Sequence, residues 1–399
     1  MIVMDPTTST GPLAGVRVID LTINVLGPVA TQILGDMGAD VIKIEPPQGD
    51  PMRDTGVSRR PGMSALFLNM NRNKRSVVLD LKKPKEMDAL LRLVSEADVL
   101  VHSMRPGAAQ RLGLEYSQLE KRFPRLIFAS APGYDPNGPF RDKPAYDDVI
   151  QGESGIADMV ERTTGTPRYL PLVTVDKTSG VFLASAISMA LYSRERTGRG
   201  QQVQVPMLES MLAFNLIEHL SAGAYGEANG LGYGRALSAG RRPYKTKDGF
   251  MCVLAINDDQ WRRLLSALGR PDVFDQPKFS TMSQRTQNIN DLYDILSVEI
   301  AEHDSAELDS ILTKADIPHG PMNRLSDLFS NTYLNETSFF QEYDHPTEGR
   351  LITTKIPQQF SSTPPSMRYP PPQLGQHTRS VLQEYGFSHS EIEALTEPN

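Results

Sequence analysis

Asp176 stands between a β-branched run, Val173, Thr174 and Val175, and a helical stretch rich in small residues from Thr178 to about Arg196. An acid at a strand-to-helix elbow projects into the mouth of a fold, where the free N–H groups of the helix N-terminus favour negative charge. Kept ionised there, a carboxylate can attack an activated acyl group such as a thioester. The product is a mixed anhydride that a thiolate reopens. An Asp just before a helix is more often its N-cap, and taken alone the motif favours the cap. No Ser or Cys with a paired His offers another nucleophile, and Cys252 falls in an apolar strand-like run where burial would make it inert.

Two further groups of residues suit a ligand. Arg72, Lys74, Arg75, Lys82, Lys83, Arg105 and Arg111 form a basic set that the pattern places on loops beside strand ends, suited to a multi-phosphate ligand. Solvated helix ends account equally well for Lys82 and Lys83. The segments PGYDPNGPF (132–140) and KPAYDDVIQGESG (143–155) carry glycines that admit a ligand to the backbone, and Tyr134 and Tyr146 to line a cleft. A plain turn cluster explains the first of them as well.

The elements that must position these residues alternate. Strand-like runs at 15–22, 40–46, 76–81, 98–104 and 126–134 are separated by helical patterns at 28–37, with Pro28 as its first residue, and at 83–97. Continuous apolar strands between amphipathic helices predict a parallel sheet covered on both faces, with ligands at the carboxyl ends of the strands. Helices are predicted at 146–160, 177–196 and 206–225. A glycine-rich connector follows, then a hairpin over 244–256 turning at Lys-Asp-Gly, and further helices at 258–269, 287–303 and 305–315. The expected architecture is α/β. A large Rossmann-like domain comprises 12–225 and 346–399, the proline-rich segment after 351 returning to it, with a linker at 226–239 and a smaller α+β domain at 240–345. Residues 1–11 are expected to form a loose tail.

Net charge is −7 over 399 residues, which argues against a general nucleic-acid binder and an anionic membrane surface. One cysteine permits no intrachain disulfide and fits a reducing cytosol. No apolar run is long enough to span a bilayer, and the first 15 residues lack the pattern of a signal peptide. The turn after the first strand, TINVLGPVATQ, is not a dinucleotide fingerprint, no P-loop or H-E-x-x-H motif occurs, and the seven histidines lack metal-ligand spacing.

In order along the chain, GPLAGVRVIDLT, GPVATQILGDMGADVIKIEPPQGDPMR, NRNKRSVVLDLK, ADVLVHSMRPGAAQRLGL, ASAPGYDPNGP, YDDVIQGESG, VTVDKTSG, RTGRGQQVQVPMLES, YKTKDG and LGQHTRSVL resemble the class III CoA-transferase family. The resemblance covers roughly residues 12–386. It implies a Rossmann-like domain built from both chain ends, a small domain, and two identical subunits interlocked like chain links. It implies acyl-CoA thioesters and carboxylic acids as substrates with no permanently bound cofactor. Asp176 matches the family nucleophile, which passes through an aspartyl anhydride and an aspartyl-CoA thioester.

Family CoA contacts match Leu79, Asp80, Leu81, Lys82, Ser103, Met104, Arg105, Arg111, Pro132, Gly133, Tyr134 and Asp135. Substrate contacts match Tyr146 and Gly240. Where formyl-CoA transferases often carry Gln after the first strand, this chain has Val25, and their mobile glycine-rich loop is reduced to Ser238, Ala239 and Gly240. Oxalate-type specificity is therefore not expected. The α-methylacyl-CoA racemase branch needs a His base where Tyr146 stands and a Glu where Asn257 stands, so transfer is favoured over racemisation. An idle CoA-binding homologue would lack the nucleophile that this chain keeps.

Overall fold

The computed structural model describes residues 1–399 except Met1, Val3, residues 6–8, Ala228 and residues 397–399. Contacts divide the chain into two compact units. One comprises residues 1–154, 171–214 and 336–399, and the other residues 155–170 and 215–335.

The first unit is built on six parallel strands: β1 (Arg17–Leu21), β2 (Asp40–Glu45), β3 (Lys74–Val78), β4 (Val99–His102), β5 (Ile127–Ser130) and β6 (Gln202–Gln204). Their order, β3-β2-β1-β4-β5-β6, is that of a doubly wound Rossmann sheet. Ile19 pairs with Ile42 on one side and Leu100 on the other, and Leu100 with Phe128, so apolar rows cross the sheet in register. Side chains alternate between faces. Ile19, Ile42, Val77, Leu100 and Phe128 pack on Leu90 and Leu93 of α3 (Pro84–Ser95) and Leu119 of α5 (Tyr116–Arg122). Val381, Leu382 and Phe387 near the C-terminus complete that layer. Helices α1 (Leu26–Asp36) and α8 (Thr174–Thr197) pack against each other, and α8 also touches β5 and β6.

The remaining helices of this part of the chain are short. They are α2 (Ala65–Met70), α4 (Pro106–Arg111) and α6 (Asp147–Glu153), with α7 (Ile156–Thr164) opening the second unit's contribution. The helix predicted over 146–160 is thus two helices. It breaks at Gly155, whose φ of +84° an L-residue adopts only at a cost. Pro28 lies inside the first turn of α1 rather than at its start, because that helix begins at Leu26.

The C-terminal stretch returns to the first unit. A hairpin of β10 (Phe340–His345) and β11 (Gly349–Thr354) leads into an extended proline-rich run. That run bonds along the edge strand β3: Asn73 N–H donates to Tyr369 O (2.9 Å), His377 N–H to Ser76 O (2.9 Å) and Val78 N–H to Thr378 Oγ1 (3.1 Å). Covering the edge removes unpaired backbone groups that would otherwise invite aggregation. Part of the expected tail is also tied down, since Ile2 N–H donates to Glu342 O (2.7 Å), Ser9 Oγ to Gly38 O (2.8 Å) and Thr10 Oγ1 to Pro364 O (2.9 Å). The rest of that tail, Met1, Val3 and residues 6–8, lies outside the described residues.

In the second unit β7 (Tyr244–Lys245), β8 (Phe250–Val253) and β9 (His319–Pro321) form an antiparallel sheet. Its core gathers Trp261, Phe279, Leu292, Leu296, Leu308 and Leu312. Cys252 is exposed, not buried as its apolar neighbours suggested, because Met251 takes the inward position and strand alternation turns Cys252 outward. No helix among the described residues is long and apolar enough to cross a membrane.

Candidate active site

The helix that carries Asp176 begins earlier than its β-branched residues predict. Thr174 and Val175 are helical, Val173 occupies the N-cap position without a side-chain cap, and Asp176 is the third helical residue. Asp176 is therefore neither an N-cap nor a strand-end residue. The cap comes from elsewhere: Asp147, on the first turn of α6, accepts the Asp176 backbone N–H at 3.1 Å through Oδ1. Its Oδ2 accepts Gln151 Nε2 at 2.6 Å, and Gln151 also donates to Leu172 O at 3.2 Å. Asp147 and Gln151 are both buried. These two residues escaped the sequence reading, although the D-x-x-x-Q spacing of one helical turn in YDDVIQGESG contained the signal.

Burial, together with the nearby Asp147 carboxylate, raises the Asp176 carboxyl from its ordinary 3.8 to about 7. The helix N-terminus acts in the opposite direction. The group is thus far more basic than the persistently ionised carboxylate expected from the motif, and basicity adds to nucleophilic strength once the proton has left. Asp147→Asn keeps an oxygen able to accept the Asp176 N–H but removes the neighbouring charge. It should move the midpoint of any Asp176-dependent reaction to lower pH, as read by the rate of acyl-enzyme formation against pH. An unmoved midpoint would show that Asp147 only caps the helix.

Because the sheet is parallel, the ends of β3, β4 and β5 bring three predicted segments to one edge. After β3, Leu79 is buried and donates its N–H to Glu45 O (2.9 Å), Asp80 Oδ1 accepts Lys82 N–H (3.1 Å), Leu81 is part-buried and Lys82 exposed. After β4, Ser103 Oγ accepts Ile23 N–H (3.4 Å), Met104 is part-buried, and Arg105 Nη1 donates to Asp142 O (3.1 Å). Arg111 ends α4 exposed, with no side-chain hydrogen bond or ion pair among the described residues.

After β5, Pro132 and Gly133 carbonyls accept Met207 and Leu208 N–H at 2.9 and 3.1 Å, tying this loop to α9 (Met207–His219). Tyr134 is buried against Phe140, and Asp135 N–H donates to Glu209 Oε1 (3.2 Å). Tyr146, immediately before α6, is 66% exposed. Gly240 belongs to the second unit, where its N–H donates to Ser238 Oγ (3.1 Å) and it packs on Tyr293.

The basic set divides. Arg72, Lys74 and Arg75 are not loop cations awaiting phosphate. Arg72 is buried and forked onto Asp36 (2.9 and 2.7 Å), Lys74 is fully buried against Asp20 (3.3 Å), and Arg75 bridges Asp40 and Glu384. They sit at the start of β3 and just before it, away from the carboxyl edge, and their charge is already compensated. Lys83 pairs with Glu86 (3.1 Å), and Lys82, Arg105 and Arg111 have no carboxylate partner among the described residues.

The six-stranded parallel sheet thus carries cations and turn glycines on the loops after its strands, and α8 carries a part-buried carboxylate of raised basicity. The description CoA-transferase family III matches residues 13–378. The chain belongs to CoA-transferase family III.

Among family members, succinyl-CoA:glutarate CoA-transferase of Mus musculus is 34% identical over 94% of this chain and 87% of its own length. Formyl-CoA:oxalate CoA-transferase of Escherichia coli is 30% identical over 96% of this chain and 98% of its own. A CaiB/BaiF family protein from Brucella suis superposes with a TM-score of 0.78 at 28% identity, covering 94% and 100% of the two chains. A hypothetical protein from Mycobacterium tuberculosis gives 0.78 at 30% identity, with the same coverage. The protein is a CoA-transferase. Asn257, where the racemase branch needs an acid, caps the helix Asp258–Ala267 by accepting Gln260 N–H (2.8 Å).

Proposed function

We propose that this protein moves CoA from an acyl-CoA to a carboxylic acid through covalent intermediates on Asp176. The observation that carries the reading is the Asp176 carboxyl in the first turn of α8, raised to about 7 by burial and by Asp147. The ionised carboxylate attacks the thioester carbonyl, forming a mixed anhydride and releasing CoA thiolate. The thiolate attacks the aspartyl carbonyl, forming the aspartyl-CoA thioester and releasing the donor acid. The acceptor carboxylate attacks that thioester, giving a new anhydride and thiolate. The thiolate then takes the acceptor's acyl group and returns Asp176 to its free form.

CoA is held, on this reading, by Leu79, Asp80, Leu81 and Lys82, by Ser103, Met104 and Arg105, by Arg111, and by Pro132, Gly133, Tyr134 and Asp135. Lys82, Arg105 and Arg111 supply charge to the phosphates. Tyr146 and Gly240 are substrate contacts on family position alone. The acceptor is proposed to be a dicarboxylic acid, as in the names of the mouse and E. coli relatives.

One chain does not use all its apolar surface. Val181, Phe182, Met189 and Tyr192 form an exposed stripe on α8, while Leu183, Ile187 and Leu191 bury the other side. A helix apolar on both sides is normally covered on both. This supports a homodimer, interlocked as in the family, in which the other copy covers the stripe. Sedimentation at the mass of one chain would overturn it. A cytoplasmic location, consistent with the lone cysteine, belongs to the same reading.

The test of the nucleophile is intact-protein mass spectrometry after incubation with succinyl-CoA, with and without hydroxylamine, followed by peptide mapping. An adduct on Asp176 that hydroxylamine removes is expected. Turnover of succinyl-CoA and glutarate with no label at Asp176 at any time would sink the mechanism.

A further inference from the structure

Six charged side chains lie buried together in the first unit. They are Asp20, Lys43, Glu45, Asp50, Arg53 and Lys74, none more than 2% exposed. Three acids and three bases cancel, so the group needs no counter-ion. Arg53 forks onto Glu45 (2.7 and 2.7 Å), Lys43 pairs with Asp50 (2.9 Å), and Lys74 with Asp20 (3.3 Å). Burying six charges is costly, and apolar residues of similar volume commonly serve stability as well. What the group does beyond pairing is visible in its remaining bonds.

Those bonds converge on the turn between β1 and α1, residues 22–25. Lys43 Nζ donates to Thr22 O (2.7 Å), Asp20 Oδ1 accepts both Thr22 N–H (2.8 Å) and Thr22 Oγ1 (2.6 Å), and Asp50 Oδ1 accepts Asn24 N–H (3.2 Å). Lys74 Nζ holds Pro28 O in the first turn of α1 (3.0 Å). Asn24 has φ +65°, a left-handed conformation that must be held by its surroundings. A turn of four residues is thus gripped by three buried charges, with a fourth on the first turn of the helix that follows it.

The helix that follows this turn packs on the helix that carries Asp176. Gly180 of α8 packs so closely on Leu26, the first residue of α1, that a Cβ there would stand 2.7 Å from Leu26 O. Asp176 is one helical turn before Gly180, on the same face. Helix α1 follows β1 and α8 leads into the parallel strand β6, so both run from the carboxyl edge of the sheet toward its amino edge, and at 1.5 Å per residue Asp176 lies about 6 Å from Gly180 on the side of the turn that precedes α1. Ile23, 37% exposed, lies on that stretch of backbone.

We propose that Asp20, Lys43 and Asp50, with Lys74 fastening the first turn of α1, hold the 22–25 turn as a fixed wall beside Asp176, and that this wall keeps water from the acyl-aspartyl anhydride. The inference rests on Asp176 being the acyl carrier. The reaction excluded is hydrolysis. Water oxygen bonds to the acyl carbonyl, the bond from that carbon to the Asp176 oxygen breaks, and the acid and free Asp176 carboxyl are released without transfer. Lys43 and Asp50 are positioning residues in this account, acting through the turn and touching no substrate.

The measurement is the ratio of acyl-CoA hydrolysed to acyl-CoA used in transfer, with succinyl-CoA and glutarate as probes. It is made on wild type, on Lys43→Met combined with Asp50→Asn, and on Asn24→Gly. The double variant removes a buried pair together and keeps an oxygen for the Asn24 N–H. Asn24→Gly leaves the cluster whole and frees the turn. Both are expected to raise the hydrolysed fraction by roughly tenfold, with KM for succinyl-CoA little changed, as loss of water exclusion in a closed site would produce. A purely structural cluster would lower stability and total rate without altering that ratio.

The inference is overturned if Asn24→Gly shows the wild-type ratio, whether or not the double variant folds. It is equally overturned if a folded double variant shows that ratio. Mass spectrometry separates the two claims: failure of this one leaves the Asp176 adduct in wild type intact, whereas failure of the nucleophile leaves no adduct in any form.

Discussion

Asp176→Ala is expected to abolish CoA transfer, lowering kcat by roughly 10³-fold or more, as removal of a covalent nucleophile does. CoA binding should persist within a few-fold, because the proposed CoA contacts lie on the loops after β3, β4 and β5 and none depends on the Asp176 side chain. The fold should persist too. Asp147 caps α8 through the backbone N–H of residue 176, which alanine retains. The decisive comparison is turnover beside calorimetric CoA affinity in the same preparation. Transfer near the wild-type rate would remove Asp176 from the mechanism. Joint loss of binding and turnover would mean that its role is in assembling the site.

The second large effect is on pH. The native state holds the Asp176 proton up to about 7, whereas an unfolded chain releases it near 3.8. Between those values the native protein binds more protons than the unfolded one, so stability falls as pH rises through this window and is lowest above 7. At about 1.4 kcal/mol per pH unit, the native state forfeits up to about 4 kcal/mol by pH 8. Asp176→Asn removes this loss.

Its thermal midpoint should therefore exceed that of wild type by several degrees at pH 8, and the gap should close at pH 4. In the active enzyme the same proton must leave before attack, so adduct formation should rise with pH toward a plateau above 7. A stability gap that does not change with pH would show that the carboxyl is not held protonated. A destabilised nucleophile is an expected cost of placing a reactive group in a partly buried site.

The cluster around Asp20 shows how the same residue types can mean different things. Arg72, Lys74 and Arg75 sit within four positions of one another, and a basic run beside a strand suits an anionic ligand. Lys74 instead points into the sheet, where burial pulls it down to about 8 even with Asp20 beside it. Strand period places Lys74 and Ser76 on one face and Arg75 on the other. The sequence pattern carries that alternation, but not which acids wait on each face: Asp20 and Asp36 come from other elements, and Asp40 from the neighbouring strand.

Much was legible in the chain. The apolar runs of β1, β2, β4 and β5 between amphipathic helices determine a parallel sheet, because only burial on both faces accommodates them. A parallel sheet in turn brings the residues after β3, β4 and β5 to one edge. The ordered motifs around VTVDKTSG determine the family. Local β-propensity misplaced the start of α8, where packing on α1 and the Asp147 cap outweigh the preference of Val173, Thr174 and Val175 for extended backbone. Contacts between elements distant in sequence alone decided the rest. Asp147 and Asp176 are 29 residues apart, yet one carboxylate caps the helix of the other and, with burial, sets its basicity. Electrostatic coupling depends on distance through space and on exclusion of water, and neither quantity is written in the order of residues.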